Sequence, residues 1–181
     1  LFLDEADQQA ARDEGWMMRS TVQFHWTQRE GAPCADFADL LASLQREKRK
    51  KIQQERRKVA DAGVTFTELQ GEQITPDDWD FFYRCYAQTY REHRSTPYLT
   101  RDFFARMAGT MAHNWLLFIA WQGGERIATS LICVDPERGT AFGRYWGAVV
   151  HIPCLHFEAC YYRPLAWCIA NGYQRFEGGA Q

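Results

Sequence analysis

The block from Trp115 to Val150 constrains the fold more than any other part of the chain. Three β-rich runs stand in it one after another: Trp115 to Trp121, Arg126 to Val134 and Thr140 to Val150. The breaks between them are short, Gly123-Gly124 and then Asp135-Pro136-Glu137-Arg138-Gly139. Tight Gly- and Pro-containing connections join neighbouring strands antiparallel, so the spacing predicts a three-stranded meander. A helical stretch from about Leu155 to Asn171 follows, stopped by Gly172, and Tyr173 to Phe176 reads as another strand. A chain needs a crossover of about a dozen residues to return parallel. The expected architecture is therefore α/β (α+β), a mixed sheet with helices on its faces. Pro164 falls inside the crossover and predicts a kink or two short helices.

Upstream, Leu3 to Gly15 reads as an acidic turn or two of helix, and Ser20 to Trp26 as a strand broken by Gly31-Ala32-Pro33. Asp36 is placed to cap a long helix ending near Gly63, with Phe37, Leu40, Leu41, Leu44, Ile52 and Val59 roughly at helical spacing. Val64 to Leu69 alternates as a short strand. Thr75-Pro76-Asp77-Asp78 puts a cap, a proline and two acids in the order that opens a helix, here to about Arg91. Pro97 interrupts, and Thr100 caps a further helix through roughly Met111.

With 181 residues, 46% of them hydrophobic, the chain is long and apolar enough to bury a core. A net charge of -2 gives no general pull toward nucleic acid or membranes, but it hides a local excess. Between Arg46 and Lys58 eight Lys/Arg face two Glu, which leaves +6 there and -8 elsewhere. The six cysteines form no CxxC pair, as expected of free thiols in a reducing, cytoplasmic setting. No apolar run is long enough to cross a bilayer. His151-x-x-Cys154-x-His156 matches no common zinc spacing, so no metal site is expected. Ser-His-Asp sets, Walker loops and dinucleotide fingerprints are missing from the sequence. The chain opens at Leu1 and stops in Glu177-Gly178-Gly179-Ala180-Gln181, the pattern expected of a piece of a longer protein.

Several blocks carry a family resemblance in combination: Gln23-Phe24-His25-Trp26, Arg46 to Ile52 leading to Glu55-Arg56-Arg57, Tyr145-Trp146-Gly147, Leu155 to Tyr162, and Gly172 to Gln181. From about Gly15 to Gln181 the chain resembles the FemAB-like N-acyltransferases of the GNAT superfamily. The resemblance implies a GNAT-like sheet with the meander at its centre, in a protein built of two such units in tandem. Residues 1–33 would then close a preceding unit, and 34–181 would form a second unit cut short at its C-terminus. The remainder of the same chain would be a partner. The implied reaction moves an acyl or aminoacyl group onto an amine acceptor, by analogy with Fem-type peptidoglycan aminoacyltransferases that take their donor from aminoacyl-tRNA. Relatives that use acyl-CoA hold its pyrophosphate with a glycine-bearing loop before the helix that follows the meander. Here Ala148 to Cys154 contains no glycine, so CoA is expected to bind weakly. The donor stays open between acyl-CoA and aminoacyl-tRNA, with no resident cofactor.

Such a transfer needs a base for the ammonium proton, donors to the developing oxyanion, and positioning. His156 and Glu158 stand where the helix leaves the meander and are the candidate bases, with Tyr161 as a candidate donor. Tyr145, Trp146 and Tyr162 are candidate substrate contacts. So are His25 and Trp26 at a strand end, and Glu177 and Gln181 beside the terminal glycines. For each of these the plain alternative is a packed, hydrogen-bonded core residue or a helix-end acid. Lys48, Arg49, Lys50, Arg56 and Arg57 are candidate contacts for phosphates of tRNA, a lipid-linked precursor or CoA, against the alternative of a solvated helix. Two rival functions fit the same residues: a non-catalytic module recognising cell-wall precursors, and an RNA-binding protein using the basic helix.

Overall fold

The computed structural model describes residues 3, 5–20, 23 and 25–179. Six strands form one sheet: β1 (His25–Thr27), β2 (Val64–Gln70), β3 (Trp115–Gln122), β4 (Glu125–Asp135), β5 (Thr140–Ala148) and β6 (Arg175–Glu177), in the order β1-β6-β5-β4-β3-β2. Every pairing is antiparallel except β5 with β6, so the meander and its parallel return are both present, as a GNAT-like sheet requires. β1 takes the outer edge of β6, with His25 opposite Glu177. Thr21, Val22 and Phe24 of the strand expected at 20–26 lie outside the described residues, and so does Gln181.

The helices are α1 (Glu5–Asp13), α2 (Phe37–Ser43), α3 (Arg46–Asp61), α4 (Pro76–Glu92), α5 (Arg101–Thr110), α6 (Leu155–Phe157) and α7 (Arg163–Ala170). α4 opens with the expected cap: the Thr75 hydroxyl accepts from the Asp78 N–H, and the Asp78 carboxylate accepts from the Thr75 N–H. The single helix expected from Asp36 to Gly63 is two. Asp36 does cap α2, but Leu44 is extended at φ -82° and ψ 155°. The end of α2 is satisfied locally, since the Ser43 hydroxyl donates to the Leu40 carbonyl and the Arg49 guanidinium to that of Ala42. The charged start of α3 offers no apolar face that would favour continuing the first helix.

Residues 155–170 are helical throughout, but a π-helical turn, Glu158–Tyr162, separates α6 from α7. The cause is Pro164. It has no N–H to donate, and in a regular α-helix its ring would press on the carbonyl of the fourth residue back. The wider turn relieves this, with the Arg163 N–H reaching the Glu158 carbonyl five residues away. The buried positions record the change: Leu155, Ala159, Pro164 and Cys168 are separated by four, five and four residues.

β3 is buried on both faces, which is why Trp115 to Ala120 reads as a continuous apolar run. Its odd residues Leu117 and Ile119 meet Trp79, Phe82, Tyr86 and Phe104 of α4 and α5. α4 lies so close to β5 that a Cβ on Gly147 would come within 2.1 Å of the Cys85 carbonyl oxygen. The even residues Leu116 and Phe118 turn to the opposite face, beneath Cys168 and Phe176. α3 joins that second face through Val59, which packs with Leu155 and Ile127.

Candidate functional site

The sheet opens between β5 and β6. Their parallel pairing runs only from Thr140 opposite Arg175 to Phe142 opposite Glu177. β5 continues to Ala148, whereas the other chain leaves through Gly178-Gly179. The gap is a cavity of about 610 Å3 bounded by the middle of β5, Ser130, the start of the 155–170 run and the two glycines. Backbones approach closely at its base. A Cβ on Gly143 would lie 2.9 Å from the Gly178 carbonyl oxygen, and one on Gly178 would lie 2.6 Å from the Tyr161 ring. Between Gly143 and Tyr145 the β4–β5 register slips, leaving Arg144 as an extra residue in β5. Such a bulge takes a residue's backbone out of the ladder, and it does so here on the wall of the cavity.

Four residues singled out in the sequence come together on this cavity: His156, Tyr161, Tyr145 and Trp146. The His156 ring stands edge-on to Trp146 at 5.5 Å and to Tyr161 at 5.7 Å. Desolvation among these rings lowers its pKa from 6.5, so the neutral imidazole dominates at neutral pH. Burial pushes the Tyr145 phenol up, and the neighbouring Tyr86 adds to the effect. Tyr145 thus remains a hydrogen-bond donor. The Thr89 hydroxyl donates to the Trp146 carbonyl at 3.0 Å and ties α4 to this part of β5. Cys160 also lines the cavity, but burial raises its thiol to about 12, which leaves no thiolate for nucleophilic attack.

Glu158 and Tyr162 leave the same π-helical turn toward α3 instead. Glu158 is 3% exposed, and both its oxygens are engaged. Arg56 binds it in two places, Nε to Oε2 at 3.0 Å and Nη2 to Oε1 at 3.1 Å, and Arg163 Nε adds a bond to Oε1 at 3.1 Å. The Tyr162 hydroxyl donates to Glu55 Oε2, and burial followed by that bond raises its pKa. A second cavity of about 480 Å3 lies on this side, lined by Arg56, Arg57, Arg163 and Glu158. The Arg56 guanidinium also stacks on Phe37 at 4.8 Å. Of the other basic residues on α3, Lys48, Lys50 and Arg57 are exposed, and Arg49 caps α2.

The remaining candidates gather at the β1–β6 edge. The His25 Nδ1 contacts the Arg175 guanidinium and lies 3.9 Å from Glu177 Oε1, while Arg175 Nη2 lies 3.2 Å from that same oxygen. Trp26 packs between the core of the second face and α7. Glu177 is buried just before the glycines that close the cleft. Among the described residues no group of three or more His, Cys, Asp or Glu is placed to hold a metal ion.

Sequence reasoning passed over Ser130, Gly143, Arg144 and Cys160 on the cleft, and Arg163 behind it. A glycine inside a strand is a signal for a bulge or a close backbone approach, and Gly143 was legible on that ground. Nothing local announces Arg163 as a partner of Glu158.

A family model described as peptidoglycan biosynthesis/recognition, FemAB-like, matches residues 1–181. No curated protein matches the chain at a significant level. Among solved structures, the chain is similar to a C-terminal DUF2156 domain described as that of a lysylphosphatidylglycerol synthetase from Agrobacterium fabrum. The identity is 14% and the TM-score 0.55, over 96% of this chain and 60% of the other. It is similar as well to L-PGS from Bacillus licheniformis, at 14% identity and TM-score 0.57 over 97% of this chain and 58% of the other. At that identity the likeness is one of fold, and this chain spans under two thirds of both.

Proposed function

The chain belongs to the FemAB-like family, and from that premise we propose that its cleft transfers an acyl or aminoacyl group onto an amine acceptor in cell-envelope metabolism. One observation carries the reading: a histidine with a lowered pKa shares a single cavity with two tyrosines and a strand bulge. In this reading the amine attacks the donor carbonyl carbon and His156 Nδ1 or Nε2 takes the ammonium proton. Negative charge then develops on the carbonyl oxygen, where the Tyr145 or Tyr161 hydroxyl and backbone N–H groups at the Arg144 bulge donate to it. Collapse of the intermediate breaks the bond to the donor's leaving atom, which accepts the proton from His156.

An aminoacyl ester suits the site better than a CoA thioester. Residues 149–154 contain no glycine, and the left-handed position there, φ 68°, is taken by Cys154. The name of one fold neighbour, a lysylphosphatidylglycerol synthetase domain, also points to an aminoacyl group. Free cysteines, four of them buried, support a reducing and hence cytoplasmic setting. The test is a donor screen by product mass on the full-length protein, with aminoacyl-tRNA and acyl-CoA offered beside amine acceptors. Product from aminoacyl-tRNA that disappears in His156→Ala is the expected result. Low-micromolar binding of acetyl-CoA in calorimetry would overturn the donor assignment.

A second reading, recognition of a cell-wall precursor without chemistry, is favoured by Glu158, whose oxygens are held by two arginines. It predicts saturable precursor binding with no product from any donor.

A further inference from the structure

We propose that the cavity behind the π-helical turn is a second ligand site, one that takes the phosphate group of a small phosphomonoester. The site goes beyond the transfer reading and does not depend on it. It occupies about 480 Å3 between α3, β2 and the turn, within the usual range for a small-molecule site. Its charges do not balance. Arg56 and Arg163 share one buried carboxylate, Glu158. Glu68 comes only to 3.7 Å of Arg163 and is 41% exposed. Arg57 adds a third guanidinium, which has no hydrogen-bond or ion-pair partner among the described residues.

The donors are in surplus as well. A guanidinium carries five N–H groups. Arg56 commits Nε and Nη2 to Glu158, and Arg163 commits Nε. This leaves Nη1 of Arg56, Nη2 of Arg163 and all of Arg57, with the Gln53 amide beside them. Two of the three forks are already fixed: Arg56 lies over Phe37 at 4.8 Å and Arg163 over Phe66 at 4.7 Å. Guanidiniums held this way lose little freedom on binding, and their planar forks match phosphate oxygens. The buried Glu158 orients them and does not saturate them.

Calorimetry on the full chain with inorganic phosphate and phenyl phosphate tests this. We expect saturable binding that Arg57→Gln weakens about tenfold, the worth of a charge-assisted contact. Gln53→Glu, which adds a carboxylate to the wall, weakens it too. Both positions are exposed and without hydrogen-bond or ion-pair partners among the described residues, so both variants keep the wild-type melting temperature in the absence of ligand. Lys50→Gln, on the same helix but outside the cavity, leaves phosphate affinity unchanged. Absence of saturable binding, or equal losses in Lys50→Gln and Arg57→Gln, overturns the proposal, the latter by reducing it to diffuse charge on α3. A single-stranded RNA without terminal phosphates distinguishes the source. If RNA displaces phosphate in an Arg57-dependent way, the pocket is a phosphate site for a diester backbone; RNA binding insensitive to Arg57→Gln supports the monoester.

Discussion

The two faces of the sheet are built on different principles. Against the α4–α5 face lies an aromatic assembly, in which Phe104 meets Phe82 at 4.9 Å, Tyr86 at 5.4 Å and Tyr145 at 5.7 Å. The opposite face carries a π-helical turn, a buried carboxylate shared by two arginines and both cavities. Rings that fill space lock a sheet in place, and of these four only Tyr145 also lines the cleft. Charges and irregular helix cost stability locally, and they supply the donors, acceptors and gaps that ligands need. The aromatic packing is therefore concentrated on one face and the buried charge on the other.

The sharpest way to break this comparison is to weaken the aromatic face. Phe104→Ala, at a fully buried position, is expected to cost about 3–5 kcal/mol in urea denaturation. Glu158→Gln on the other face should cost less, about 1–3 kcal/mol, because Arg56 and Arg163 are each 33% exposed and can turn to water. Equal losses would show that the charged face bears as much of the fold as the aromatic one. Gly178→Ala should be milder still, under about 1 kcal/mol, since the Tyr161 ring it meets can swing into the cavity. Its effect should appear instead as displaced Tyr161 ring resonances and lost transfer activity.

A pH scan sharpens the contrast further. His156 has a folded pKa below 6.5, so between that value and 6.5 the unfolded chain binds more protons than the folded one. Its contribution to stability is thus greatest above 6.5 and falls as pH drops toward the folded pKa. His156→Gln should therefore gain on the wild type as pH falls through 6.5. A constant difference between the two would show that folding leaves the imidazole unperturbed. Smallest of all, Lys50→Gln should change stability by no more than about 0.5 kcal/mol.

The meander was legible because its strands and turns are written in local chemistry: β-rich runs, Gly123-Gly124, and Pro136 to Gly139. The Thr75 and Thr100 caps were legible for the same reason. The break at Leu44 was not, since it depends on a side chain of α3 reaching back to a carbonyl of α2. In the site, neighbours in sequence diverge. His156 and Tyr161 meet on the cleft, but Glu158 between them turns to Arg56, 102 residues away in the chain. Helical spacing alone could not sort these positions, because it presumes a regular helix and Pro164 breaks that premise.

The step of five between Ala159 and Pro164 amounts to a shift of reading frame written in a helix. Upstream and downstream of it the buried positions keep the ordinary step of four, from Leu155 to Ala159 and then from Pro164 to Cys168. The one surplus residue is taken up inside the turn, where it fans side chains toward both cavities at once. Removing a single residue from 158–162 would restore the ordinary frame and rotate all that follows by about 100° relative to what precedes. Either the buried positions or the two walls would then have to be given up. A length change of one residue would thus alter what both cavities present while every strand of the sheet keeps its sequence.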